Sequence, residues 1–127
     1  MRYADVEKFC LSLPGTSVHT PWGDSRVYKV GGKMFAMLVT NDRSKPDGVS
    51  FKVSHESFQI LTRIKGIHPA PYLARAHWVA MDGVRALSSK ELRAYLMRAH
   101  ALVAAGLSKK KRAALGIAEP VDANPFD

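Results

Sequence analysis

The sequence predicts a single α+β domain in which helices pack on an antiparallel sheet, and three observations predict it. Val27–Val30 and Lys33–Val39 are β-rich runs that flank Gly31-Gly32, a pair that enters positive φ easily and so reads as a tight hairpin. Ser88-Ser89-Lys90-Glu91 is a capping box, and Leu87 with Leu92 forms a hydrophobic staple around it, so a long last helix begins there. The element order is helix, three strands, helix, one or two strands, helix, which lacks the strand–helix alternation of a parallel sheet. Two layers suffice to bury such a set.

Each element has its own signal. Val6, Phe9, Cys10 and Leu13 recur at helical spacing from Tyr3, with Asp5 and Glu7 opposing the helix dipole in the first turn, and Leu13-Pro14-Gly15 stops that helix. Thr16 to Asp24 reads as a short extended or looped segment that anchors itself by burying the Trp22 ring. After the hairpin, the polar loop from Asn41 to Gly48 leads into the alternating strand Val49–Val53. Ser54 caps a second helix with a Phe58, Leu61, Ile64 stripe and Gly66 as its stop, and Ile67 to Ala70 reads as a loop. His77–Met81 returns to the sheet and closes at Asp82-Gly83, with room for a brief strand near Tyr72 and Leu73 before it. The last helix buries Leu92, Tyr95, Leu96, Ala99, Leu102 and Val103 and ends at Gly106. Residues 1–116 are expected to form the domain, and residues 117–127 a poorly ordered tail.

Composition narrows the function classes. A chain of 127 residues that is 46% hydrophobic can bury a core without staples. No apolar run approaches the ~20 residues of a membrane span, and acids stand where an export signal would carry its apolar segment, so a cytoplasmic protein is expected. The single cysteine, Cys10, lies among Val6, Phe9 and Leu13 and reads as a small buried hydrophobe in a reducing compartment. The net charge of +8 is regional, because residues 63 to 112 hold eleven bases against Asp82 and Glu91. Such a field attracts phosphate backbones.

Catalytic and metal signatures are missing. His19, His55, His68, His77 and His100 show no zinc-knuckle or HExxH spacing, and Gly31-Gly32 joins two strands instead of cradling a nucleotide at a helix start. Ser54, His55 and Glu56 are adjacent, but neighbours at a helix start point in different directions, so they do not make a nucleophile with its base. No enzyme, cofactor or metal is expected. In His77-Trp78, strand alternation sends the two rings to opposite faces, with Trp78 in the core or lining a groove with Trp22 and His77.

The ordered set Leu13-Pro14-Gly15, Pro21-Trp22-Gly23, Gly32-Lys33-Met34-Phe35, His77-Trp78 and Leu107-Ser108-Lys109-Lys110 resembles the MmcQ/YjbR-like family of small bacterial proteins over about Ala4 to Arg112. Pro14, Gly15, Gly32, Lys33, Phe35, His77 and Trp78 match the family pattern, while Trp22 replaces a more usual Phe. Ala74-Arg75-Ala76 holds one base where relatives are often Lys-rich. The resemblance implies an α-β(3)-α-β(2)-α domain of the secretion-chaperone-like kind and a DNA-binding role described as a double wing.

Charge and resemblance together lead to the expectation of a non-enzymatic DNA-binding protein with little sequence specificity, a monomer that contacts phosphates through Lys29, Lys33, Arg75, Lys90, Arg93, Lys109, Lys110, Lys111 and Arg112. The last helix lacks the partner helix and the Asn, Gln and Arg set of a base-reading element. A protein-interaction or chaperone-like module is the alternative, and a small-molecule binder around His77 and Trp78 the third reading.

Overall fold

The computed structural model describes residues 1–22, 25–40, 47–71 and 73–117, with the backbone alone for Trp22. Helix α1 is Tyr3–Ser12, followed by strands β1 (Thr16–Trp22), β2 (Ser25–Val30), β3 (Lys33–Val39) and β4 (Gly48–Lys52). Helix α2 (His55–Leu61), strand β5 (Ile67–Pro69), a 3-10 turn at Ala74–Ala76 and strand β6 (Trp78–Asp82) come next. Helices α3 (Ser89–Ala104) and α4 (Lys109–Ala114) complete the chain. The six strands form one antiparallel sheet in the order β1-β2-β3-β4-β6-β5. Among the described residues no helix is long and apolar enough to cross a membrane.

The expected α+β class and antiparallel sheet are observed, with local corrections. Thr16–Trp22, expected as an extended or looped segment, takes the extended alternative as a full edge strand: only Val18 of its first five residues is apolar, so the alternation is faint, and Pro21 is tolerated because an outer edge needs no N–H. Ile67–Pro69 is the opposite edge strand rather than a loop, with just three residues to show its pattern. Leu73 caps the 3-10 turn instead of joining a strand, and Tyr72 lies outside the described residues, as do the expected Trp22 ring burial and the tail from residue 118. The second helix ends at Leu61, and Gly66 takes φ 88° at the turn beyond it.

One face of the sheet carries the main core. Tyr28, Phe35, Leu38, Phe51, Val79 and Met81 meet Val6 and Cys10 of α1, Leu61 of α2 and Leu92, Leu96, Ala99 and Val103 of α3. Each large apolar side chain buried here contributes about 1.5–3 kcal/mol. The other face carries a smaller cluster of Val27, Met37 and Val39, with Met34 and Leu73 against it. Between the β2 partners Tyr28 and Lys29 the β3 register skips Phe35, a bulge that turns this ring into the main core, edge-on to His100 at 5.3 Å.

Polar ties then orient α1. Glu7 accepts hydrogen bonds from Arg26 Nε and from Tyr28 Oη, the latter at 3.3 Å. Burial, reinforced by Glu7, pushes the Cys10 thiol up to about 12, which leaves it the inert hydrophobe that its sequence surroundings suggest. His100 is 6% exposed, and its Nε2–H donates to the Pro14 carbonyl at 2.7 Å, fastening α3 to the α1–β1 turn.

Burial lowers the His100 pKa below 6.5, the Pro14 hydrogen bond opposing only part of that shift. The unfolded chain therefore takes up this proton first, so the His100 contribution is intact above about pH 6.5 and is lost as pH falls below it. Urea unfolding of the wild type is expected to weaken by up to about 1.4 kcal/mol per pH unit in that range from this group. His100→Gln, which keeps an N–H donor, should flatten the fall; an unchanged pH profile would refute the assignment.

Candidate nucleic-acid interface

Strand register defines one end of the sheet. Thr16 pairs with Val30, Val30 with Lys33, and Lys52 with Trp78, so the start of β1, the β2–β3 hairpin, the end of β4 and the start of β6 share it. The end of α3 meets the hairpin there. A Cβ placed on Gly31 would stand 2.6 Å from Leu107 Cδ1, and one on Gly106 would stand 4.0 Å from Lys33 Nζ. A Cβ on Gly15 would stand 3.0 Å from Leu115 Cβ, so the Leu13-Pro14-Gly15 turn abuts the far end of α4.

The run after α3 is helical rather than irregular. Ser108 Oγ accepts from Lys111 N at 3.1 Å and starts α4, where Lys109, Lys110 and Lys111 are exposed. Arg112 behaves differently, because its Nη1 donates to the Leu107 carbonyl and, at 3.4 Å, to that of Ala105. That guanidinium satisfies carbonyls past the end of α3, which is the helix-terminus role open to any cation in such a position.

Lys52 joins this end as a base the sequence did not single out, beside Arg75, Lys29 and His77, which it did. Lys52 Nζ donates to the Ala76 carbonyl at 2.7 Å, and burial lowers its pKa. Arg75 is exposed on the 3-10 turn beside it. Lys29 is half-buried on β2 and shares the helix-free face with Val27. His77 sits in the left-handed region (φ 59°, ψ 46°), outside β6, with its Nε2 3.3 Å from His55 Nδ1 and its ring 5.7 Å from that of Phe58.

Lys90 and Arg93 do not join this group. They stand in the first turns of α3, whose 16 residues span about 24 Å, so the helix carries them toward the other end of the sheet. Arg93 there shares a shallow cleft with Asp5, Lys8 and Ser12. Glu91 accepts from Ser88 N at 3.1 Å, and these bonds hold its carboxyl below the usual range. Asp82 pairs with His68 at 2.9 Å, which raises the His68 pKa. Burial, and secondarily Asp47, raises the Tyr3 pKa, and Tyr3 lines a cleft with Arg2, Asp82 and Arg85.

Of the expected Trp22–His77–Trp78 groove, Trp78 takes the core alternative and His77 is half-buried. Trp78 is 3% exposed, its ring packed away, and the Trp22 side chain lies outside the described residues. A cavity of about 70 Å³ instead opens on the helix-free face, lined by residues that include Met37, Val39, Ser50, His68, Leu73 and Ala80. His68 and Asp82, fourteen residues apart, become neighbours only through β5–β6 pairing, so no local motif announces them.

An antiparallel sheet with its helices gathered against the main core defines a two-layer α+β domain. A YjbR family model matches residues 11–102, and the chain belongs to that family. The Deinococcus radiodurans protein DR2400, described as carrying a DUF419 domain, is similar at 27% identity and a TM-score of 0.78, over 92% of this chain and 89% of that one. A Pseudomonas syringae protein shares the fold at 22% identity and a TM-score of 0.66, over 81% of this chain and 99% of its own. No curated protein matches the sequence.

The hairpin contact yields a graded test. Gly31 has φ 58° and faces Leu107, whereas Gly32 has φ 83° and open space around its Cβ position. Gly32→Ala is expected to cost about 1–2 kcal/mol from backbone strain alone, and Gly31→Ala about 2–4 kcal/mol because the clash adds to it. Equal urea midpoints for the two variants would show that the Gly31–Leu107 approach is not tight.

Proposed function

We propose that this chain is a non-enzymatic nucleic-acid-binding protein that holds phosphates at the hairpin end of its sheet with little sequence specificity. The observation that supports the reading is the approach of Lys33 to Gly106, three residues before the short helix that exposes Lys109, Lys110 and Lys111, two stretches far apart in the chain. Lys29 and Arg75 flank them, while Asp5, Asp47, Asp82 and Glu91 belong to the other end. Those acids share their end with Arg2, Arg85, Lys90 and Arg93, so the reading rests on the exposed lysines of the hairpin end and not on a polarity of the whole sheet. Ammonium groups act as point charges toward phosphate and do not read base edges, in keeping with low specificity. A monomer in the cytoplasm, with DNA as the preferred nucleic acid, belongs to the same proposal.

Three or four phosphate contacts would make log K fall with log salt at a slope of about −2.7 to −3.6 on duplex DNA. Fluorescence anisotropy of a mixed-sequence duplex across a salt series measures it. Reversing Lys33, Lys109, Lys110 and Lys111 to Glu should abolish most of the slope and weaken binding at least about tenfold, or ~1.4 kcal/mol. Reversing Lys90 and Arg93 should leave the slope nearly intact. Salt-independent binding, or equal losses in both variants, would sink the proposal.

A further inference from the structure

His55 and His77 stand 22 residues apart in the chain, and the fold brings His55 Nδ1 within 3.3 Å of His77 Nε2. Their ring centroids are 5.1 Å apart with planes at 62°. Two imidazole nitrogens on one tetrahedral divalent ion, each bonded at about 2.0–2.1 Å, stand about 3.3–3.4 Å from each other. We infer that His55 and His77 form a two-histidine chelate for a borderline first-row ion of the zinc, nickel or copper kind, with water in the remaining positions.

The mounting of His77 supports a fixed donor. Its left-handed backbone is a conformation that glycine or asparagine enters more easily, yet this position holds an imidazole. His77 N donates to the Ala74 carbonyl at 3.0 Å, its own carbonyl accepts from Val53 N at 2.9 Å, and Phe58 stands against the ring. His55 is the first residue of α2, behind the Ser54 cap. A donor held by its surroundings, as His77 is by Phe58 and its backbone bonds, loses little freedom on binding an ion. Imidazole nitrogen suits zinc, copper and nickel, whereas magnesium and calcium require oxygen ligands.

Affinity is bounded by two features. No group of three or more His, Cys, Asp or Glu side chains gathers as a metal site among the described residues, so this chelate has two protein ligands. Lys52 and Arg75 also place positive charge near it. With half the ligands of a structural zinc site, the expected Kd is on the order of 10–100 μM.

The full chain titrated with zinc chloride alone, at about pH 7.5 where histidines as a class are mostly neutral, tests the inference by calorimetry and by NMR of the histidine rings. One ion per chain should bind, shifting the His55 and His77 ring signals and leaving those of His19, His68 and His100 in place. His55→Ala and His77→Gly should each weaken binding at least about tenfold, or ~1.4 kcal/mol, and the double variant should fall little further, because both donors serve one ion. Glycine suits the left-handed backbone, so His77→Gly keeps the turn, and a thermal melt checks its fold. No binding in the millimolar range, shifts at other histidines, or single variants that bind like the wild type would overturn the site. No nucleic acid is present in this titration, so its outcome is separate from that of the phosphate-binding test.

Discussion

The close approach of the β2–β3 hairpin to the α3–α4 corner is the constraint on which the cationic end depends. With no side chain at Gly31, Leu107 can sit where any Cβ would collide with it. Leu107 is 6% exposed and belongs to the main core, so the corner after α3 is fixed by burial and not by its charged residues. α4 then continues from a buried anchor, and Leu115 and Ile117 pack its far end against the same core. The lysines are thus carried on a short helix pinned at both ends by apolar contacts.

That arrangement separates two roles within one basic run. A helix end leaves carbonyls without intrahelical partners, and Arg112 supplies donors to those of Ala105 and Leu107. Arg112 is half-buried in doing so, whereas Lys109, Lys110 and Lys111 remain exposed. A long flexible ammonium gains little from an exposed partner on its own surface. Four consecutive bases that look equivalent in the sequence therefore divide into one residue that stabilises the corner and three that stay available.

How much of this was legible from the sequence depended on whether a feature had a local cause. The capping box and the diglycine hairpin are local, and Ser88, Glu91, Gly31 and Gly32 stand in the structure where their chemistry predicts. β1 reads between strand and loop from sequence and β5 was not legible, because edge strands bury one face weakly and their alternation is diluted by Ser17, His19 and Pro69. The cationic surface was half legible. Charge counting found the bases, but Lys90 and Lys109 lie near opposite ends of α3, and only helix length shows that. The His55–His77 and His68–Asp82 pairs were illegible, since each exists only through contacts between elements separated in the chain.

Family membership and the phosphate-binding reading also rest on different parts of the molecule. The family match ends at residue 102, before Lys109, Lys110 and Lys111, while Gly31, Lys33, His77 and Trp78 lie inside it. The matched portion therefore accounts for the sheet, α3 and the hairpin that receives Leu107, but not for the helix that supplies most of the exposed ammonium groups. A relative that kept the hairpin and replaced α4 would retain the fold and lose much of this surface. Binding through this end is thus a property to be argued for each chain from its own corner after α3, and fold similarity alone does not transfer it.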